Sequence, residues 1–196
     1  MEINLWTQIF PQIISLTIAL GFLWRLLGMI NGNIRYKRIG IAITAVAYGK
    51  VALMMSVANP EIAKMYIMAS LVLYFLAIAN ELLHMNEASS KVAILFNIFI
   101  LSVLALGFDP TVPSELQSIG VVLAQIIVIG LVITSKPFAG RLLWLTSFSI
   151  FLVIHIYISR YSLRVEWVRI MYAWVEIPAQ LLFLVGSLQY IKELNK

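Results

Sequence analysis

The chain is 196 residues long, 62% of its residues are hydrophobic and 12% are charged, and its mean hydropathy is +0.96. Soluble globular domains are roughly 45–50% apolar and about 25% charged, so this composition excludes a soluble fold. The formal net charge is +5 and there is no cysteine, which excludes disulfides, cysteine-ligated metals and thiol chemistry.

Long apolar stretches without charge predict helices that cross a membrane. A span needs about 20 apolar residues, because a rise of about 1.5 Å per residue must cover about 30 Å of hydrocarbon. The runs in this chain are too uniform for a membrane β-barrel, whose strands alternate apolar and polar residues. We therefore predict an all-α, polytopic helical bundle in which residues 1–196 form a single transmembrane domain.

Seven segments are long and apolar enough to be predicted as spans. Short turns rich in Gly, Pro, Asn, Asp and Ser separate them, and these residues are typical of places where helices end. The amino-terminal residues carry Glu2 but no basic region, so we expect the first segment to be a retained helix rather than a signal peptide. The fourth and sixth segments are the shortest. The predicted spans are 6–30, 39–58, 62–84, 91–108, 116–135, 142–159 and 166–191.

The positions of lysine and arginine predict an outside amino terminus and a cytoplasmic carboxyl terminus, because positive loops stay in the cytoplasm. We expect a multi-pass protein of the cell (plasma) membrane with some affinity for anionic lipid head groups. No nucleic-acid partner is indicated. The inner side would hold Arg35, Lys37, Arg38, Lys91, Lys136, Arg141, Lys192 and Lys196, and the outer side Lys64, Arg160, Arg164 and Arg169.

Four charged residues of the predicted spans are candidates for function, because an unpaired charge inside the membrane costs several kcal/mol. Arg25 and Glu81 lie at similar depth near the inner ends of the first and third spans and are predicted to form an ion pair. Arg25 could instead extend to the head groups. Lys50 and Glu176, near the middles of the second and seventh spans, are predicted as a second pair. Each pair is either a structural link between helices or part of a functional site.

The residues around Glu176 favour a ligand- or ion-binding site. Pro178 removes a backbone donor and frees a carbonyl one turn earlier, which predicts a kink beside the carboxylate. Tyr172 and Gln180 lie four residues before and after Glu176, so the three share one helix face. Tyr48 accompanies Lys50 on the second span. We predict that this group binds a proton, a cation or a polar ligand.

The two histidines raise the possibility of haem ligation, which depth argues against. His84 is placed at the inner end of the third span and His155 about 15 Å deeper in the sixth, too far apart to ligate one iron. We therefore predict no haem, and expect His155 to be a buried core residue or a solute contact. Catalytic motifs and metal-ligand patterns are missing, so we predict no enzyme activity and no metal site.

Three classes of function remain open. The first is a non-catalytic integral membrane subunit of a larger assembly, which could be energy-transducing, because the predicted loops leave little mass outside the bilayer. Its partners would be other membrane proteins or further copies of the chain. The second is a small-solute or proton-coupled transporter that uses Lys50 and Glu176. The third is a seven-helix, receptor-like sensor acting through a partner transducer. The sequence favours the first class slightly over the second.

Overall fold

A computed structural model of the chain describes residues 5–29, 34–55, 59–105, 114–161 and 166–195. These residues form seven α-helices and no strand, so the predicted all-α bundle of seven helices is confirmed. The helices are α1 (Leu5–Leu27), α2 (Ile34–Met55), α3 (Pro60–Met85), α4 (Ser90–Ala105), α5 (Ser114–Thr134), α6 (Arg141–Tyr161) and α7 (Glu166–Leu194).

The helix bounds differ most from the prediction at α2, which begins at Ile34 instead of residue 39. Hydropathy detects only the part of a helix that lies in hydrocarbon. The backbone of α2 is already helical in the basic residues that precede its apolar stretch. The helix α4 is short, at 16 residues, as predicted. The helix α6 has 21 residues and is longer than its predicted segment. The predicted ends of the first, second and fourth spans, at 30, 58 and 108, lie outside the described residues.

Four helices contain stretches long and apolar enough to cross a membrane: Ile9–Leu27, Tyr36–Met55, Met65–Met85 and Ala173–Leu194. Three shorter apolar stretches, Ser90–Ala105, Ile119–Thr134 and Arg141–Tyr157, lie in the other helices. Both sets were found within the described residues only. These helices mark the chain as an integral membrane protein. The orientation of the bundle across the membrane stays a prediction.

The helices pack in chain order, and α1 also contacts α7, which closes the bundle. Its best-packed part is an aromatic cluster made by Tyr74 of α3, Trp144 and Phe148 of α6, and Phe183 of α7, whose contacting ring centroids lie 5.5 to 6.4 Å apart. Trp144 Nε1 donates to Ser187 Oγ at 3.2 Å, so the buried indole is satisfied. Because lipid tails are as apolar as these side chains, close packing is what makes the contact favourable.

The short helix α4 is attached to α3 by a pair of side-chain amides. Asn80 Nδ2 donates to Asn97 Oδ1 and Asn97 Nδ2 donates to Asn80 Oδ1, each at 3.0 Å. Amide pairs of this kind join membrane helices at about 1 kcal/mol, and they also fix the rotation of each helix. The amide pair thus sets which face of α4 turns toward the bundle.

An exposed ion pair joins the turns that follow α3 and α5, which lie on the predicted cytoplasmic side. Lys136 Nζ contacts Glu87 Oε1, and both side chains are mostly exposed. The hydrogen bond and the positive charge of Lys136 lower the pKa of Glu87. A lowered pKa in the folded state means that the contribution is present at neutral pH and is lost as the pH falls through the pKa of Glu87. Solvent screens an exposed pair, so its effect on stability is small.

The turn before α6 packs directly against α7. Gly140 has a φ of +88°, which side chains other than glycine rarely adopt, and a Cβ at this position would overlap the carbonyl oxygen of Gly186. Next to it, Arg141 donates from Nε to the Val132 carbonyl at 3.0 Å and also to the Ile133 carbonyl, which satisfies the carboxyl-terminal end of α5. This end of the bundle is held by backbone contacts as well as by side chains.

Replacing Gly140 tests the importance of this contact. We expect Gly140→Ala to lower the free energy of unfolding by about 1–3 kcal/mol, because the new Cβ meets backbone at a positive φ. The control is Gly130→Ala on α5, where a Cβ meets nothing within 4 Å, and which should be neutral or stabilising by up to about 1 kcal/mol. Both can be measured by titration with sodium dodecyl sulfate. Equal effects of the two substitutions would contradict the contact.

Candidate functional site

The structure brings Lys50 of α2 and Glu176 of α7 into direct contact. Lys50 Nζ pairs with Glu176 Oε1, and the two residues are 3% and 8% exposed. Helices α2 and α7 contact each other along little of their length, so this pair is a main link between them. Lys50 lies five residues before Met55, the end of α2. The mid-span depth inferred for this pair from the sequence stays a prediction, because residues 56–58 lie outside the described part of the structure.

Several polar atoms at this site keep unused hydrogen-bonding capacity. Among the described residues, Glu176 Oε2 and Gln12 Oε1 are buried acceptors without a donor, and Lys50 Nζ makes no hydrogen bond beyond the ion pair. Buried polar groups are nearly always satisfied, because an unsatisfied one costs about 1–3 kcal/mol. Unsatisfied groups beside an ion pair are therefore typical of a site at which a proton, water or solute is exchanged.

Gln12 is placed near Glu176 by the contact between α1 and α7. These helices run in the same direction, and Ser15 of α1 contacts Gln180 of α7. Gln12 lies one turn before Ser15, and Glu176 lies one turn before Gln180, so Gln12 and Glu176 have about the same depth and face the same helix boundary. The polar site lies at the junction of α1, α2 and α7.

Gln180, predicted as a site residue, makes a structural contact through both atoms of its side-chain amide. Its Nε2 donates to the Ser15 carbonyl at 2.9 Å, and its Oε1 accepts from Ser15 Oγ. Both residues are 2% exposed. Gln180 therefore holds α1 against α7 and positions Glu176 rather than offering free groups to a ligand.

Pro178 lies inside α7, two residues after Glu176. Proline cannot donate to the carbonyl four residues earlier, so α7 has a weak point beside the carboxylate. Ser147 of α6 donates from Oγ to the neighbouring Ala179 carbonyl at 2.7 Å. The proline region is thus anchored to α6 on one side while its own backbone ladder is interrupted.

Tyr48 does not join the pair. Its ring packs edge to face with Tyr66 of α3, with centroids 5.7 Å apart, and the residue is 39% exposed. Residues two apart on a helix point in directions about 200° apart, so Tyr48 and Lys50 do not share a face. Tyr172 lies within α7, but its side chain is outside the described part of the structure.

The two histidines lie apart. His84 is exposed in the last turn of α3, whereas His155 of α6 has its Nδ1 3.1 Å from Gln125 Oε1. Gln125 also donates to the Phe148 carbonyl at 3.2 Å, so it links α5 to α6. In the described residues, no group of three or more His, Asp or Glu side chains is arranged to hold a metal ion.

Glu81 is paired with Arg38 and not with Arg25 as predicted. Arg38 Nη1 lies 3.2 Å from Glu81 Oε2, and Tyr190 of α7 donates to Glu81 Oε1. Because α2 and α3 are antiparallel neighbours, the first turn of α2 meets the last turns of α3. Arg25 has the right depth but lies exposed on another side of the bundle. The sequence gives the depth of a residue along the membrane normal but not which neighbouring helix its side chain faces. The prediction failed for this reason.

Comparison with protein-family models, curated proteins and solved structures finds no match to this chain. The functional argument therefore rests on the geometry of the site. The sequence missed Gln12 and Ser15 on α1, Arg38 on α2 and the Gln125–His155 contact. Gln12 and Ser15 are spaced three residues apart in an apolar helix, and this polar face was the signal that could have identified them.

A double-mutant cycle tests whether Lys50 and Glu176 neutralise each other. We expect Lys50→Met alone to cost about 3–5 kcal/mol of unfolding free energy, because it leaves Glu176 buried without its cation. The double variant Lys50→Met with Glu176→Met should recover most of that loss. Lys37→Met, at an exposed lysine on the same helix, is the control and should change little. Additive losses in the cycle would show that the two residues are not coupled.

A second comparison of variants tests whether Arg38 or Arg25 is the partner of Glu81. Arg38→Gln should lower the unfolding free energy by about 1.5–3 kcal/mol, because Glu81 is fully buried and loses a charged partner. Arg25→Gln should change it by less than about 0.5 kcal/mol, since the residue is exposed. Detergent unfolding of both variants measures the difference. A larger loss for Arg25→Gln than for Arg38→Gln would support the pairing of Arg25 with Glu81 that was predicted from the sequence.

Proposed function

We propose that the chain is a small proton-linked membrane carrier in which Glu176 binds and releases a proton as its ion pair with Lys50 opens and closes. The observation that supports this is a buried ion pair whose members keep unused hydrogen-bonding capacity. Another unsatisfied acceptor, Gln12 Oε1, lies at about the same depth on α1. An ionisable residue within a membrane span is costly and most often marks the path of a proton or solute. A purely structural pair would be expected to have its remaining groups satisfied.

The coupling follows from electrostatics in a medium of low dielectric constant. While the pair is closed, the two charges compensate each other. Opening leaves both unpaired, and protonation of Glu176 removes one of them. The other, on Lys50, is compensated by a solute that carries an anionic or hydrogen-bond-accepting group. Proton uptake and solute binding at this pair would therefore favour each other.

The helices around the ion pair would allow it to open. The proline at position 178 weakens α7 next to Glu176, and α2 and α7 have few contacts to lose when the pair opens. The other end of the bundle is tightly packed by the aromatic cluster. Opening at the Lys50–Glu176 site would break few direct contacts between α2 and α7.

A second candidate is the non-catalytic subunit of a larger membrane assembly, most simply in the cell membrane. The described connections at one end of the bundle, 86–89 and 135–140, are only a few residues long, so little of the described chain could act outside the bilayer. Large apolar side chains of α4 are also exposed, including Leu95 and Ile94. Other membrane proteins or further copies of the chain could cover them. Purification in a mild detergent followed by native mass spectrometry would identify such partners.

Infrared difference spectroscopy tests the protonation of Glu176 directly. As the pH is lowered, we expect the wild-type protein to gain a protonated-carboxyl band from Glu176 in addition to the bands of its other carboxyl groups. The band should be absent in Glu176→Gln. If that variant does not fold, the double variant with methionine at positions 50 and 176 serves instead. Glu87→Gln is the control and should keep the band. A band unaffected by removal of Glu176 would disprove the proposal.

Transport can be measured in liposomes that contain the protein and an internal pH dye. Gradients of small carboxylates, amino acids, sugars and inorganic anions are imposed one at a time. In wild-type liposomes, a gradient of the coupled solute should change the pH of the lumen, and the direction of the gradient should determine whether the pH rises or falls. In liposomes with Glu176→Gln, the same gradient should leave the pH unchanged. Solute flux with no accompanying pH change would argue for a carrier that is not linked to protons.

A further inference from the structure

A groove between α1 and α7 lies outside the polar site. Its volume is about 340 Å³, and it is formed by Thr17, Gly21 and Arg25 of α1 together with Leu181 and Leu188 of α7. The α1 residues recur every four positions and lie on one face, so the groove follows the helix axis. From Thr17 to Arg25 it is about 12 Å long, at about 1.5 Å per residue.

The groove is apolar along its length and positively charged at one end. The hydroxyl of Thr17 donates to the Ile13 carbonyl at 2.8 Å and therefore presents its methyl group and not a free donor. At the other end, Arg25 is exposed and forms no ion pair with any residue that the structure describes. A ligand that matches this surface has a long apolar chain that ends in a negative charge.

The depth of Arg25 matches that of a lipid phosphate. Arg25 lies in the last turn of α1, and its neighbour Trp24 is 80% exposed. Exposed tryptophans of membrane proteins concentrate at the head-group level, where the ring is in apolar surroundings and its N–H is hydrated. In the predicted orientation this end of α1 is in the cytoplasmic leaflet, which carries the anionic lipids.

We propose that this groove binds one acyl chain of an anionic phospholipid whose phosphate pairs with Arg25. The floor of the groove at Gly21 has room for the chain, because a Cβ at this position would meet nothing within 4 Å. The lipid lies in the groove between α1 and α7. It therefore also covers part of the boundary between these helices, which carry Gln12 and Glu176. The site is independent of whether Glu176 takes up a proton.

The first test uses native mass spectrometry of the purified protein with phosphatidylglycerol or phosphatidylcholine added in detergent. Gly21→Leu fills the groove and should reduce the amount of both lipids retained. The matched control is Gly130→Leu on α5, where a Cβ also meets nothing within 4 Å, and it should retain lipid as the wild type does. Equal retention by the two variants would overturn the proposal.

The second test addresses the charge. The wild type should retain phosphatidylglycerol about fivefold more than phosphatidylcholine, the ratio that corresponds to about 1 kcal/mol for one basic side chain at the membrane surface. Arg25→Gln should abolish this preference, while Lys37→Gln, at an exposed lysine of α2, should keep it. A preference unchanged by Arg25→Gln would overturn the proposal. So would release of a co-purifying protein by Gly21→Leu without loss of lipid, because the groove would then hold a partner helix.

Discussion

A charged side chain in hydrocarbon must be neutralised by a partner, and this requirement determines how α2 is positioned in the bundle. Its two ion-pair residues, the partly exposed Arg38 and the buried Lys50, are 12 residues apart, or about 18 Å along the helix. The first binds Glu81 of α3, and the second binds Glu176 of α7. Between these points α2 has little contact with α7. The Lys50–Glu176 ion pair and the contact of Tyr36 with Asn195 are therefore main direct links of α2 to α7 and the residue after it, whereas α2 packs mostly against α3 and α1.

The two ends of the bundle differ in how they are held. At the end that contains Glu81, the buried carboxylate, the aromatic cluster and the contact of Gly140 with Gly186 combine polar and apolar packing. At the end that contains Lys50, α7 contains a proline and, among the described residues, three buried side chains have unused bonding capacity, against one, the Tyr74 hydroxyl, in the aromatic cluster. Local stability follows the density of such contacts. The first end has the properties of a rigid base, and the second has those of a region that changes shape.

The sequence predicted the helices well because hydropathy and turn residues depend on local composition. It also predicted that Lys50 and Glu176 are partners, since only these two charges were placed at that depth. It failed for Glu81, where Arg25 and Arg38 have similar depths and only the order of helices around the bundle decides between them. The structural role of Gln180 was also not predictable, because its partner Ser15 lies 165 residues away in the chain. Depth can be estimated from the sequence of a membrane helix, whereas the direction in which it faces requires knowledge of its neighbours.

The contact between the first helices and the last has a consequence for biosynthesis. Glu176 is made 126 residues after Lys50, and at about 5–20 residues per second this takes on the order of ten seconds. During that time α2 has been synthesised and carries the Lys50 ammonium group, but Glu176, which neutralises it, has not yet been made. The chain must keep this helix in a place where water or the insertion machinery can solvate the charge. The contact of α2 with α7 at this pair can therefore form only after α7 has been synthesised.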